Sequence, residues 1–141
     1  MRTLYNIHHN IKHDSLIKEP VVVTVRNFDE KAYEDFNEDF DKAHRTGQTV
    51  IPVVIDSYGG QAYSFMGMIG IIQSSKIPVI TILLSIAMSC GSILFSFGEE
   101  RYIAPYSTLM IHDVASLAWG KIEEIKADVK EAKRLNNIVY E

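Results

Sequence analysis

Apolar residues in this chain fall into short β-branched runs separated by stretches of helical period. Residues 21–26, VVVTVR, form the first run and read as a strand. In residues 27–48, Phe28, Tyr33, Phe36 and Phe40 recur at near-helical spacing among acids and lysines. That pattern predicts an amphipathic helix with Phe36 and Phe40 turned inward and Gly47 as its stop. Residues 49–56, TVIPVVID, are apolar enough for a strand buried on both faces. SYGG follows, and residues 61–75 are then apolar nearly all round, which predicts a buried helix. Residues 76–84, KIPVITILL, read as a third strand, and residues 85–98, SIAMSCGSILFSFG, turn into another buried helix ending near Gly98. RYIA (101–104) and TLMIH (108–112) are short strands around a turn at Pro105. Residues 120–141 form a long amphipathic helix with Ile122, Ile125, Val129 and Ala132 on one stripe.

Strand and helix thus alternate, which predicts an α/β fold with a largely parallel sheet. In such sheets the loops leaving the carboxyl ends of strands carry the sites. Gly59–Gly60, Ser89–Cys90 and His112 all lie there. The uncharged interval from Ile77 to Gly98 is long enough to suggest a membrane span. Its proline-led β-branched first half and its Gly- and Ser-interrupted second half exclude that reading, as does the lack of basic flanks.

Composition narrows the classes. The chain has 141 residues, suited to one domain, and 47% of them are hydrophobic. The net charge is −4 and no basic stripe is present, so nucleic acid is not an expected partner. Cys90 is the one cysteine, so there is neither an internal disulfide nor a Cys-based zinc site, and a reducing cytosol fits. No apolar run of signal-peptide length opens the chain. Residues 1–19 read as a polar N-terminal arm, with His8, His9 and His13 as solvated side chains rather than a metal site.

Ser89 passes from a buried strand into a buried helix among small residues, Ala87, Gly91 and Ser92. A serine hydroxyl becomes nucleophilic only when a base takes its proton, and a strand-to-helix turn aims both the hydroxyl and free N–H groups at one point. Taken alone, a serine there is a helix cap. The glycines of IDSYGG can free N–H groups toward a ligand, or simply make a tight turn; the phosphate-binding glycine patterns are not present. His112, at the end of TLMIH, is the only histidine beyond residue 44 and the natural general base, although a histidine in such a place is commonly structural.

Together, DSYGG, AMSCGS and MIHD resemble the proteolytic-subunit (ClpP) family of Clp proteases, self-compartmentalised serine peptidases. The resemblance runs from about Val21 to the last residue. It implies a ClpP/crotonase-like fold of repeated ββα units, with a head domain over residues 20–119 and a protruding handle helix starting at residue 120. It implies Ser89 as nucleophile, His112 as base, and the backbone N–H groups of Gly60 and Cys90 as oxyanion donors. It further implies heptameric rings stacked in pairs, an AAA+ unfoldase partner that alone uses ATP, unfolded polypeptide as substrate, and a cytoplasmic location. No cofactor, metal or membrane is expected.

The family's catalytic acid lies beyond the handle helix, and no residue here matches it. Asp113 adjoins His112 and, as a strand neighbour, points to the opposite face, so it is a poor substitute; Asp56 and Asp128 stay open in principle. The helical pattern runs uncapped to Glu141, so the sequence is expected to be cut short. Tyr58 stands where the family has proline, and Cys90 where it has methionine. Two other readings stay open: a catalytically idle ClpP-like subunit serving structure or regulation, and a crotonase-type acyl-CoA enzyme using the same oxyanion donors.

Overall fold

The computed structural model describes residues 19–115 and 120–140. The three histidines of the expected N-terminal arm lie outside the described residues. The chain divides into two compact units, one running to Met110 and the other from Ile111.

The first unit is a five-stranded sheet in which every pairing is parallel. Its strands are β1 (Val23–Val25), β2 (Ile51–Ser57), β3 (Val79–Met88), β4 (Glu100–Ile103) and β5 (Thr108–Met110). The order is β1-β2-β3-β4, and β5 also pairs with β3, beyond the end of β4. Helices α1 (Glu30–Thr46), α2 (Ala62–Ser74) and α3 (Cys90–Ser96) follow β1, β2 and β3 in turn. The mixed α/β architecture and mostly parallel sheet are as the alternating pattern requires.

Local chemistry explains the helix ends. Asp29 accepts a hydrogen bond from the N–H of Ala32 at 2.7 Å, capping α1, and Gly47 ends it in the left-handed conformation at φ 82°. Phe36 and Phe40 face the core, as their spacing demands. Phe28 does not belong to that helical stripe. It lies ahead of the cap, 2% exposed, edge-on to Phe65 with ring centroids 6.1 Å apart. Nor is α2 buried all round. Ser64, Phe65, Met68 and Ile72 point inward while Tyr63 is exposed, because only one face of the helix meets the core.

Two strands differ from their apolar runs. β1 is shorter than residues 21–26, because the buried amide of Gln48 takes both backbone groups of Val21: it accepts from the N–H at 2.8 Å and donates to the carbonyl at 3.1 Å. β3 is longer than residues 76–84. Its last part pairs Ile86, Ala87 and Met88 with Thr108, Leu109 and Met110. A long-range ladder therefore keeps residues extended that local pattern assigned to the following helix. Between these parts the pairing with β2 jumps from Ile55↔Leu83 to Ser57↔Ala87, so β3 bulges outward at Leu84 and Ser85.

The second unit contains α4 (Ile122–Tyr140). Leu135 is buried, whereas Ile122, Ile125 and Val129 of the expected stripe are exposed. The N–H of Val114 donates to the Asn136 side-chain oxygen at 2.6 Å. Among the described residues, no helix is long and apolar enough to cross a membrane.

Candidate functional site

Ser89 is the one residue between the end of β3 at Met88 and the start of α3 at Cys90. Its N–H donates to the Met110 carbonyl at 2.8 Å, continuing the β3–β5 ladder by one bond. Its own carbonyl accepts from the N–H and the hydroxyl of Ser92, at 3.0 and 2.7 Å. Held at both ends, Ser89 has φ 54° and ψ −122°, and among the described residues it is the only non-glycine with positive φ. Side chains adopt such a conformation at a cost of about 1–3 kcal/mol, and only where the surroundings enforce it. The hydroxyl makes no capping bond to α3, so the reading of Ser89 as an ordinary helix cap fails. The residue is half-buried.

The turn after β2 comes up against it. Gly59 has φ 104° and Gly60 φ 157°. A Cβ at Gly59 would stand 2.8 Å from Ser89 Cβ and 3.0 Å from the Met88 carbonyl oxygen, so only glycine fits. A Cβ at Gly60 would strike the Phe28 carbonyl oxygen at 2.5 Å. The N–H of Gly59 donates to Ser57 Oγ at 3.1 Å, which folds the turn back on the buried end of β2. Gly60 pairs with Phe28 in an isolated parallel bridge, closed by the Gln61 N–H donating to the Phe28 carbonyl at 2.7 Å. As the first residue of α3, Cys90 has an N–H with no partner inside the helix.

Cys90 is buried and its thiol faces the glycine turn, with Sγ 3.5 Å from the Gly60 carbonyl oxygen. Burial pushes the thiol above its ordinary value, more than the neighbouring hydrogen bonds lower it. A thiol kept protonated is a weak nucleophile.

His112 belongs to the second unit. The strand expected over residues 108–112 ends at Met110, so His112 sits in irregular backbone. The reason is that β3 supplies the ladder, and its last pair is Met88↔Met110; past it the chain turns at Ser89. His112 is exposed, and its Nδ1 lies 2.5 Å from the Asp113 carbonyl oxygen. A carbonyl only accepts, so Nδ1 carries the hydrogen and, in the neutral ring, Nε2 keeps its lone pair.

Gly60, Ser89 and Cys90 are thus gathered at the carboxyl ends of β2 and β3. Residue patterns missed Phe28 and Met110, whose carbonyls hold the two turns, since backbone acceptors leave no mark in a sequence. Ser57 had a signal, a serine two residues before glycine, which is a side-chain-to-backbone turn. Among the described residues, no group of three His, Cys, Asp or Glu side chains could hold a metal ion.

The chain is 31% identical over 93 residues to ATP-dependent Clp protease proteolytic subunit 1 of Salinibacter ruber, covering 64% of this chain and 40% of that protein. It is 29% identical over 93 residues to the ATP-dependent Clp protease proteolytic subunit of Deinococcus radiodurans, covering 64% of this chain and 46% of that one. Against the chloroplastic proteolytic subunit 3 of Arabidopsis thaliana the figures are 34% over 83 residues, 57% and 27%. The matched stretch spans less than half of each of these relatives. The family model for Clp protease matches residues 6–141, nearly the entire sequence, and this chain belongs to the Clp protease family.

Proposed function

We propose that this chain is a proteolytic subunit of a Clp-type protease, a serine endopeptidase that cleaves unfolded polypeptides. The observation that carries this reading is the enforced conformation of Ser89, a side chain held at φ 54° on a sharp strand-to-helix turn. That turn presents a hydroxyl clear of the backbone, as a nucleophile requires. Ser89 Oγ attacks the scissile carbonyl carbon, and His112 takes its proton at Nε2. The same proton passes to the amine as the C–N bond breaks, and water then hydrolyses the acyl-serine. The N–H groups of Gly60 and Cys90 stabilise the oxyanion, each worth about two to three powers of ten in rate.

The subunit acts in stacked heptameric rings in the cytoplasm, fed by an AAA+ unfoldase that consumes the ATP, and needs no cofactor or metal of its own. The names of its relatives support this wider reading, as does the exposed apolar stripe on α4.

The test is labelling with a fluorophosphonate probe, read by peptide mapping, alongside hydrolysis of a short fluorogenic peptide. Label is expected on Ser89 and is lost with hydrolysis in Ser89→Ala. No label on a folded protein, or label retained after that substitution, overturns the proposal.

A further inference from the structure

The oxyanion donor at Gly60 sits on the peptide joining two glycines, which is the easiest kind of peptide to rotate out of place. Its neighbours on both sides are pinned. The Tyr58–Gly59 peptide is held where the Gly59 N–H meets Ser57 Oγ at 3.1 Å. The Gly60–Gln61 peptide is held by its N–H on the Phe28 carbonyl at 2.7 Å, and on its carbonyl side by Cys90 Sγ at 3.5 Å. The carbonyl oxygen only accepts, so the thiol donates. Cys90 thereby ties the turn after β2, which carries one donor, to the turn after β3, which carries Ser89 and the second donor.

We infer that the Cys90 side chain is a positioning residue for the peptidase reaction: its S–H to the Gly60 carbonyl holds the glycine turn so that the Gly60 N–H points at the oxyanion. Three observations carry this. The thiol is buried against the turn. Burial favours the protonated thiol over the thiolate, outweighing the hydrogen bonds with the Gly60 backbone, the Ser89 side chain and its own backbone that act the other way. No side chain of the glycines themselves could restrain that peptide. The inference rests on the peptidase reading, and it assigns to the thiol a role separate from that of the Cys90 backbone N–H.

The test compares Cys90→Ala, which removes the donor, with Cys90→Ser, which keeps one, both in the full chain. The second-order rate of Ser89 labelling by the fluorophosphonate is measured with kcat and KM for a short peptide. Hydrogen exchange of the amides from Gly59 to Gln61 is measured in parallel. Cys90→Ala should slow labelling and kcat about fivefold, the size of one hydrogen bond, with KM little changed and faster exchange in the glycine turn. Cys90→Ser should recover most of the loss. Equal slowing in both variants, or none in either, overturns the inference. If the parent protein takes no label, the peptidase reading has failed. Exchange alone then decides the thiol's hold on the turn, and unchanged exchange in Cys90→Ala refutes it.

Discussion

Ser89 is costly where it stands, and its neighbours show what enforces the cost. Its N–H is tied to Met110 and its carbonyl to Ser92, leaving no room for the backbone to relax. Glycine tolerates this conformation without penalty. Ser89→Gly should therefore raise stability by about 1 kcal/mol in a denaturant melt while abolishing fluorophosphonate labelling, whereas Ser89→Ala abolishes labelling without that gain. A melt in which Ser89→Gly is destabilised would show that the turn carries no strain. His112→Ala should lower labelling at least about a thousandfold with little change in the melt, since the side chain is exposed. Cys90 adds a pH dependence. Its thiol is raised in the folded protein by burial, so as pH climbs past the ordinary thiol range the unfolded chain loses its proton first. Stability should then fall as pH rises past the ordinary thiol value of about 8.5. Cys90→Ser should flatten that slope in melts across the same range.

At the level of elements, the strand–helix order and most element cores are legible in the residue pattern, but their lengths are not. Gln48 shows why. The residue is 3% exposed, and its side-chain amide bonds Val21 twice, the Val50 carbonyl at 2.8 Å and the Thr46 hydroxyl at 2.9 Å. One polar side chain beyond the stop of α1 thus anchors that helix end to the start of β1 and shortens the strand. Gln48→Ala leaves partly buried backbone groups of Val21 and Val50 without their partner and should cost about 2 kcal/mol in a chemical melt. Asp29→Ala, which removes only the α1 cap, should cost about 1 kcal/mol. If the two losses are equal, the Gln48 network does not tie the end of α1 to the start of β1. β3 shows the converse effect: pairing with β5, distant in sequence, extends it through a bulge to the threshold of Ser89.

Over the whole molecule, the first unit buries a continuous core from Val23 to Phe95. The second keeps Ile122 72% and Val129 47% exposed on α4. An apolar stripe left in water favours association, and the proposed stacking of rings is what it would serve. Ile122→Asp combined with Val129→Asp should shift the protein to smaller species in sedimentation, with the circular dichroism spectrum retained. Unchanged sedimentation would separate α4 from assembly.

Hydrophobic period and glycine position act locally, so the α/β class, the parallel sheet and the placing of Gly60 and Ser89 just past strand ends were legible in the residue pattern. The three short motifs around Gly60, Ser89 and His112 carried the family. Only the tertiary structure decided that Ser89 is held at positive φ and that His112 lies past the strand. It alone showed that the Cys90 thiol meets the glycine turn. Each of these depends on a partner far away in sequence, such as the Met110 carbonyl against the Ser89 N–H, and a backbone acceptor has no residue type by which a sequence could announce it.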